Sequence, residues 1–148
     1  MITKGVINGQ LASLLARFRH VNTIAIVDGP FPTYPNVETV DLALVMGVPT
    51  IPQVLDAILP LLDLTGLYLA AEFSQKVPED IVAQYIAHHR GLPTEVIPHE
   101  DFKVKVGQTL GIIHTGTQSR TPASFSKAAN HYRTITILQT GSRQPTTG

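Results

Sequence analysis

Five short runs of aliphatic and β-branched residues constrain this chain most. They are TIAIVD (23–28), GLYLAAEF (66–73), TEVIPH (94–99), TLGIIHTG (109–116) and YRTITILQTG (132–141). Each has the length and composition of a strand, and several are apolar through most of their length, as strands covered on both faces are. Segments of helical period stand between them. Over 8–20, Leu11, Leu14, Leu15 and Phe18 recur at i, i+3, i+4 and i+7 behind a capping Asn8. Arg17, Arg19 and His20 fall near the end of that segment, where cations meet the negative pole of a helix. VPTIPQVLDAILPLLDL (48–64) turns helical after its prolines, and Pro60 should end or bend it. VPEDIVAQYIAHHRG (77–91) has Pro78, Glu79 and Asp80 at its start and Gly91 at its stop. EDFKVKV (100–106) reads as a short helix, GPFPTYPN (29–36) as a loop, and VETVDLALVMG (37–47) fits strand and helix equally. Strands alternating with helices predict an α/β fold with a mostly parallel sheet flanked by helices.

The 148 residues suit one domain, predicted over 1–141. The polar stretch 117–131 reads as an inserted loop within it, and 142–148 as a disordered tail. Hydrophobic residues make up 43%, enough for a core. Eleven basic residues balance eleven acidic ones. A dedicated nucleic-acid or acidic-membrane binder needs a basic excess, so neither partner is expected. There is no cysteine, which leaves neither a disulfide framework nor thiolate chemistry. The first twenty residues lack a signal-peptide pattern and no apolar run approaches a membrane span, so a cytoplasmic protein is expected. Charged residues are only 15%, as in a chain whose surface is partly covered by other subunits or in a modestly polar monomer.

Phosphate-loop, dinucleotide, nucleophile-elbow and HExxH signatures are missing. His88 and His89 are adjacent on a predicted helix, so they diverge by about 100° and do not chelate one ion together. His131 lies in the polar stretch without an identifiable partner. Three groups remain. Asp28 and His99 each follow a predicted strand, and ligands of open α/β sheets gather at the carboxyl ends of strands. His20 precedes a strand, so it starts at the opposite end of the sheet. Each has a plain structural reading as well: His20 as a helix-end cation, Asp28 as the cap of the Gly-Pro turn, His99 as part of a helix start. Together, imidazoles and a carboxylate suit a reaction made only of proton transfers, with no metal or cofactor.

The segments KGVIN, RFRHVNTIAIVDGPFP, VDLALVMGVPTIPQVLDAI, LAAE and PHEDFK resemble the ribose/fucose mutarotase family. The likeness runs nearly without gaps over 4–64 and resumes at Pro98. It implies a cofactor-independent isomerase that interconverts ring forms, pyranose and furanose or anomers, of a monosaccharide such as D-ribose. A monosaccharide-binding or regulatory protein on the same fold is the alternative. It also implies a homo-oligomer of pentameric rings or a decamer, with sites shared between subunits. By the same resemblance His20 matches the proton donor, and Asp28 and His99 match sugar-binding positions. The family's Tyr-x-Asn before the last strand corresponds best to Tyr132, Arg133 and Thr134, with Thr in place of Asn and an insertion before it; a gapless alignment puts Thr121, Pro122 and Ala123 there instead. Its Arg-Ser-Gly-Glu-like turn reads His114, Thr115, Gly116, Thr117 here.

Overall fold

A computed structural model describes residues 1–70, 93–117 and 136–139. The elements run α1 (Gly9–Ala16), β1 (Thr23–Val27), β2 (Glu38–Asp41), α2 (Ile51–Ile58), a 3-10 turn (Leu59–Leu61), β3 (Gly66–Ala70), β4 (Thr94–Ile97), α3 (His99–Val106), β5 (Gly111–His114) and β6 (Thr136–Gln139). The strands form one six-stranded sheet in the order β2-β5-β1-β6-β3-β4. β5 lies parallel to both β1 and β2, and β4 parallel to β3. β6 runs antiparallel between β1 and β3 and joins the two parallel sets. β1 to β5 therefore all point the same way, and the predicted mostly parallel α/β sheet is present.

Two apolar layers cover this sheet, and β1 shows why its sequence is apolar throughout. Ile24 and Ile26 face a layer with Leu11 and Leu14 of α1, Ile51, Leu55 and Ile58 of α2, Val40 and Ile113. Ala25 and Val27 face the other side, with Phe31, Ile112, and Phe102 and Val106 of α3. Side chains alternate across a strand, so covering both faces leaves no position for a polar residue. Phe102 is fully buried. Burying such a side chain stabilises by about 1.5–3 kcal/mol, which anchors a helix whose other residues are largely polar.

The helices follow their local signals, with two refinements. Asn8 caps α1 by accepting from the Leu11 amide at 2.9 Å, as expected. The helix stops at Ala16, short of residue 20, because the Arg17 and Phe18 amides turn to the carbonyls of Leu14 and Leu15. Arg17 then reaches the Glu38 carboxylate on β2 at 2.6 Å; both are about half exposed, so the pair is worth no more than about 1 kcal/mol. α2 opens on a capping box in which Thr50 accepts from the Gln53 amide and Gln53 accepts from the Thr50 amide. It ends at Ile58 and tightens into the 3-10 turn around Pro60, the break the proline predicts. The ambiguous segment 37–47 resolves into β2 and a loop that reverses at Gly47, whose φ is 82°. Among the described residues, no helix is long and apolar enough to cross a membrane. The predicted helix over 77–91, the stretch 118–131 and the tail 142–148 lie outside the described residues.

Among the described glycines, Gly116 leaves the least room for a side chain. A Cβ there would meet the backbone N, C and O of Val48 at 2.5–2.7 Å. Backbone cannot swing aside as a flexible side chain does. Gly116→Ala is expected to cost about 1–3 kcal/mol, as overpacking does, read as a lower midpoint in urea unfolding at unchanged slope.

Candidate functional site

The parallel strands deliver their last residues to one edge of the sheet. Asp28 follows β1, Asp41 ends β2, His114 ends β5, and His99 opens α3 two residues after β4. Crevices at the carboxyl ends of strands are where open α/β sheets take ligands. The segment 114–117 fastens this edge together. The Thr115 amide and hydroxyl both donate to the Val27 carbonyl, at 3.0 and 2.9 Å. The Gly29 amide donates to the Thr117 carbonyl at 2.7 Å, and the Leu42 amide to the His114 carbonyl at 2.9 Å. Gly116 takes the Gly47 amide at 2.6 Å and gives its own to Pro49 at 2.7 Å. The Thr117 hydroxyl accepts from the Ile51 amide at 2.9 Å, satisfying a donor at the start of α2 that has no partner within the helix. Thr117, expected to open an inserted loop, is thus a buried part of the sheet edge.

The proline-rich segment after Asp28 forms a wall on the α3 side. Asp28 itself is buried at 4% exposure, and its carbonyl accepts from the Phe31 amide. Phe31 is buried, with its ring centroid 6.0 Å from that of Tyr34. The Tyr34 hydroxyl donates to the Lys103 carbonyl in α3 at 3.1 Å, and burial raises the pKa of this phenol. One aromatic contact, the burial of Phe31 and a hydrogen bond therefore hold the loop, and its prolines limit the backbone between them.

His20 lies elsewhere. It sits exposed in a tight turn closed by the Asn22 amide on the Arg19 carbonyl (3.0 Å) and the Arg19 amide on the Asn22 side chain (2.8 Å). Val21 completes that turn at φ 62°, a left-handed conformation that a β-branched residue adopts only under strain. The turn precedes β1 and Asp28 follows it, so the two occupy opposite edges. About 16 Å of strand separates them, at roughly 3.3 Å per residue. Within one chain Asp28 and the start of α3 at His99 lie at the same sheet edge with β6 and β3 between their strands, and His20 lies at the other edge. Tyr132, Arg133 and Thr134 lie outside the described residues, as do His88, His89 and His131. β6 begins at the carboxyl edge, since it runs against the other strands. Among the described residues no group of three or more His, Cys, Asp or Glu is placed to hold a metal ion.

Sequence reading placed His114 only in the family's turn and passed over Asp41 at this edge. His114 is 6% exposed, and among the described residues its Nε2 has no hydrogen-bond partner. Asp41 is its register neighbour on β2, with one carboxylate oxygen accepting from the Ala43 amide at 2.9 Å. The available signal was a strand ending in a polar residue, IIH, like the IVD that singled out Asp28.

Residues 1–121 match the RbsD / FucU transport protein family. The chain belongs to this family. Among its relatives, the D-ribose pyranase of Geobacillus kaustophilus is 35% identical over 116 residues, covering 78% of this chain and 85% of that protein. The D-ribose pyranase of Geobacillus thermodenitrificans is 37% identical over 117 residues, covering 78% and 87%. The RbsD / FucU fold is shared with the structure of Bacillus subtilis RbsD complexed with D-ribose, at TM-score 0.76 and 24% identity over 97% of this chain and 99% of that one. It is also shared with the fucose mutarotase of Streptococcus pneumoniae in complex with L-fucose, at TM-score 0.66 and 21% identity, covering 93% and 94%.

In this RbsD / FucU chain, Thr117→Val keeps the shape and removes the acceptor for the Ile51 amide. The expected cost is about 0.5–2 kcal/mol, as for loss of a helix N-terminal cap. Amide hydrogen exchange should accelerate at Ile51 and leave the β1 amides protected.

Proposed function

We propose that this chain is a cofactor-independent sugar isomerase interconverting the ring forms of a monosaccharide such as D-ribose. The observation that carries the reading is membership of the RbsD / FucU family, with curated relatives named D-ribose pyranase at 35–37% identity over most of the chain. The geometry supports it, since Asp28 and the start of α3 at His99 share the sheet edge suited to a small ligand. Opening a hemiacetal ring requires a proton on the ring oxygen and removal of one from the anomeric hydroxyl. Closure to another ring repeats the exchange on a different hydroxyl. His20 donates and recovers the proton. Asp28, His99 and the segment Tyr132, Arg133, Thr134 hold hydroxyls. General acid–base catalysis typically contributes about 10²–10⁴-fold, adequate for a ring opening that already proceeds in water.

Because His20 and Asp28 occupy opposite edges, the working site takes His20 from one copy and Asp28 from another, in a cytoplasmic homo-oligomer of pentameric rings or a decamer. The exposed apolar side chains favour such an assembly. Leu44, Val45 and Met46 are exposed in the loop after β2 at the carboxyl edge, and Val21 beside His20 at the other. Apposing the two edges covers both sets.

Saturation-transfer NMR between the ring forms of ribose, fucose and other monosaccharides tests the activity. His20→Ala should lower the enhanced exchange by at least about 10²-fold with the oligomer intact. Sugar binding without enhanced exchange in the wild-type protein would overturn the isomerase reading in favour of a binding protein. The shared site has its own test. His20→Ala and Asp28→Ala should each be inactive, yet after unfolding and refolding as a mixture roughly a quarter of the sites would hold both intact residues and regain activity. No recovery in a mixture shown to have exchanged subunits would overturn the sharing.

A further inference from the structure

We propose that His114 and Asp41 form a hydroxyl-binding pair at the carboxyl edge, so that the site extends across β5 to β2. This inference rests on the sugar-isomerase reading and adds residues to it. Its starting point is a buried imidazole whose Nε2 has no partner among the described residues. Such a group is destabilising where it stands, because its water contacts are lost and nothing replaces them. Ile112 and Ile113, the two residues before it on β5, are wholly apolar and fully buried. A third aliphatic side chain would meet the packing requirement without that cost. A bound ligand would supply the partner that the described residues lack.

The neighbours identify what kind of partner fits. Strand alternation sets His114 on the same face as Ile112, toward Val27 and Phe31. Val40 faces the opposite layer, so Asp41 shares the face of His114, and the two are direct register partners on adjacent parallel strands. No hydrogen bond or ion pair joins them, and Asp41 is exposed while His114 is covered. Adjacent strands lie about 4.8 Å apart, close to the span of two hydrogen bonds meeting on one oxygen. A hydroxyl suits that gap, since it donates to the carboxylate and accepts from an imidazole N–H in the same pose. The ring torsion of histidine is broad, so Nε2 swings toward the open Asp41 side without a change of rotamer at χ1. Other groups at this edge are Asp28 after β1 and Tyr34 in the loop above, the latter engaged with Lys103. The ligand class is therefore a neutral polyhydroxyl compound, one of whose hydroxyls occupies the gap.

The test uses the full-length protein with 15N-labelled histidine and a saturating sugar of the panel. The His114 Nε2 resonance should shift on addition of D-ribose or whichever sugar exchanges fastest. His114→Leu should raise KM about tenfold with kcat within about threefold, while His114→Gln, which keeps a terminal nitrogen, should recover most of the affinity. The monodeoxy sugar lacking the bound hydroxyl should bind wild type and His114→Leu alike. An Nε2 resonance unmoved by every sugar, or a Leu variant with unchanged KM and unchanged discrimination among deoxy sugars, overturns the pair. The resonance decides the question even where the Leu variant fails to fold. Loss of exchange in His20→Ala alongside an unmoved Nε2 would leave the isomerase standing and remove only this pair. An Nε2 shift without enhanced exchange would do the reverse.

Discussion

The hydrogen bonds made by residues 115–117 are the constraint on which the rest of this structure depends. Thr115 is bound twice to the last carbonyl of β1, Gly116 is clasped by Gly47 and Pro49, and Thr117 meets both Gly29 and the first amide of α2. Three chain segments that are far apart in sequence leave the sheet at this place. Without a common fastening, each would present unpaired backbone groups to a buried environment, at a cost comparable to a lost hydrogen bond for each group. The absence of a side chain at residue 116 permits the closest of these contacts, since Val48 backbone already occupies the space of a Cβ. A strand end that locks its neighbours gives the carboxyl edge a defined shape, which a small polar ligand requires of its site.

That fastening also explains why the proline-rich loop can serve as a wall. Its first residue, Gly29, is bonded to Thr117, and Tyr34 is held to α3 through Lys103. Between these points Phe31 is buried with Val27 and Phe102. A loop tied at one end to the sheet and further along to a helix loses little additional entropy when a ligand arrives, so more of the contact energy is retained as affinity. Phe102 connects this wall to the sheet: it fixes α3 over Ala25 and Ile112, and α3 carries both the carbonyl that Tyr34 uses and the backbone of His99.

The parts of this fold legible in the sequence were those with a local physical cause. The apolar runs at 23–27, 66–70 and 111–114 are strands because both sheet faces are covered there. Asn8 and Pro60 acted within a few residues of themselves, as caps and breakers do. The ambiguity over 37–47 came from a sequence apolar enough for either element, and Val40 settles as a strand residue through its pairing with Ile113. Nothing local specifies that long-range pairing. Asp28 was recognisable as a candidate site residue because a carboxylate closes an apolar strand. The pairing of His114 with Asp41 was not, because two strands far apart in sequence meet only through the sheet order. The role of Thr117 was hidden for the same reason: its partners are 66 and 88 positions earlier in the chain.

Under the proposed shared site, the separation of His20 from Asp28 also bears on how the turn at His20 is held. Residues 19–22 close a turn on two hydrogen bonds of 2.8 and 3.0 Å with Val21 in a strained conformation, so the imidazole is displayed on a short, well-defined support. Strain of this kind costs on the order of 1–3 kcal/mol and persists only where the surroundings over-determine it. In the isolated chain Val21 is exposed, so no burial offsets that cost. Under the proposed assembly, apposition of the two edges removes Val21, Leu44 and Met46 from water and closes the sugar pocket in the same step. Proton transfer then takes place where water is excluded and the hydrogen bonds of Asp28 and His20 act at greater strength. Assembly and catalysis become one physical event, with burial of the two apolar edges offsetting the strain that presents the proton donor.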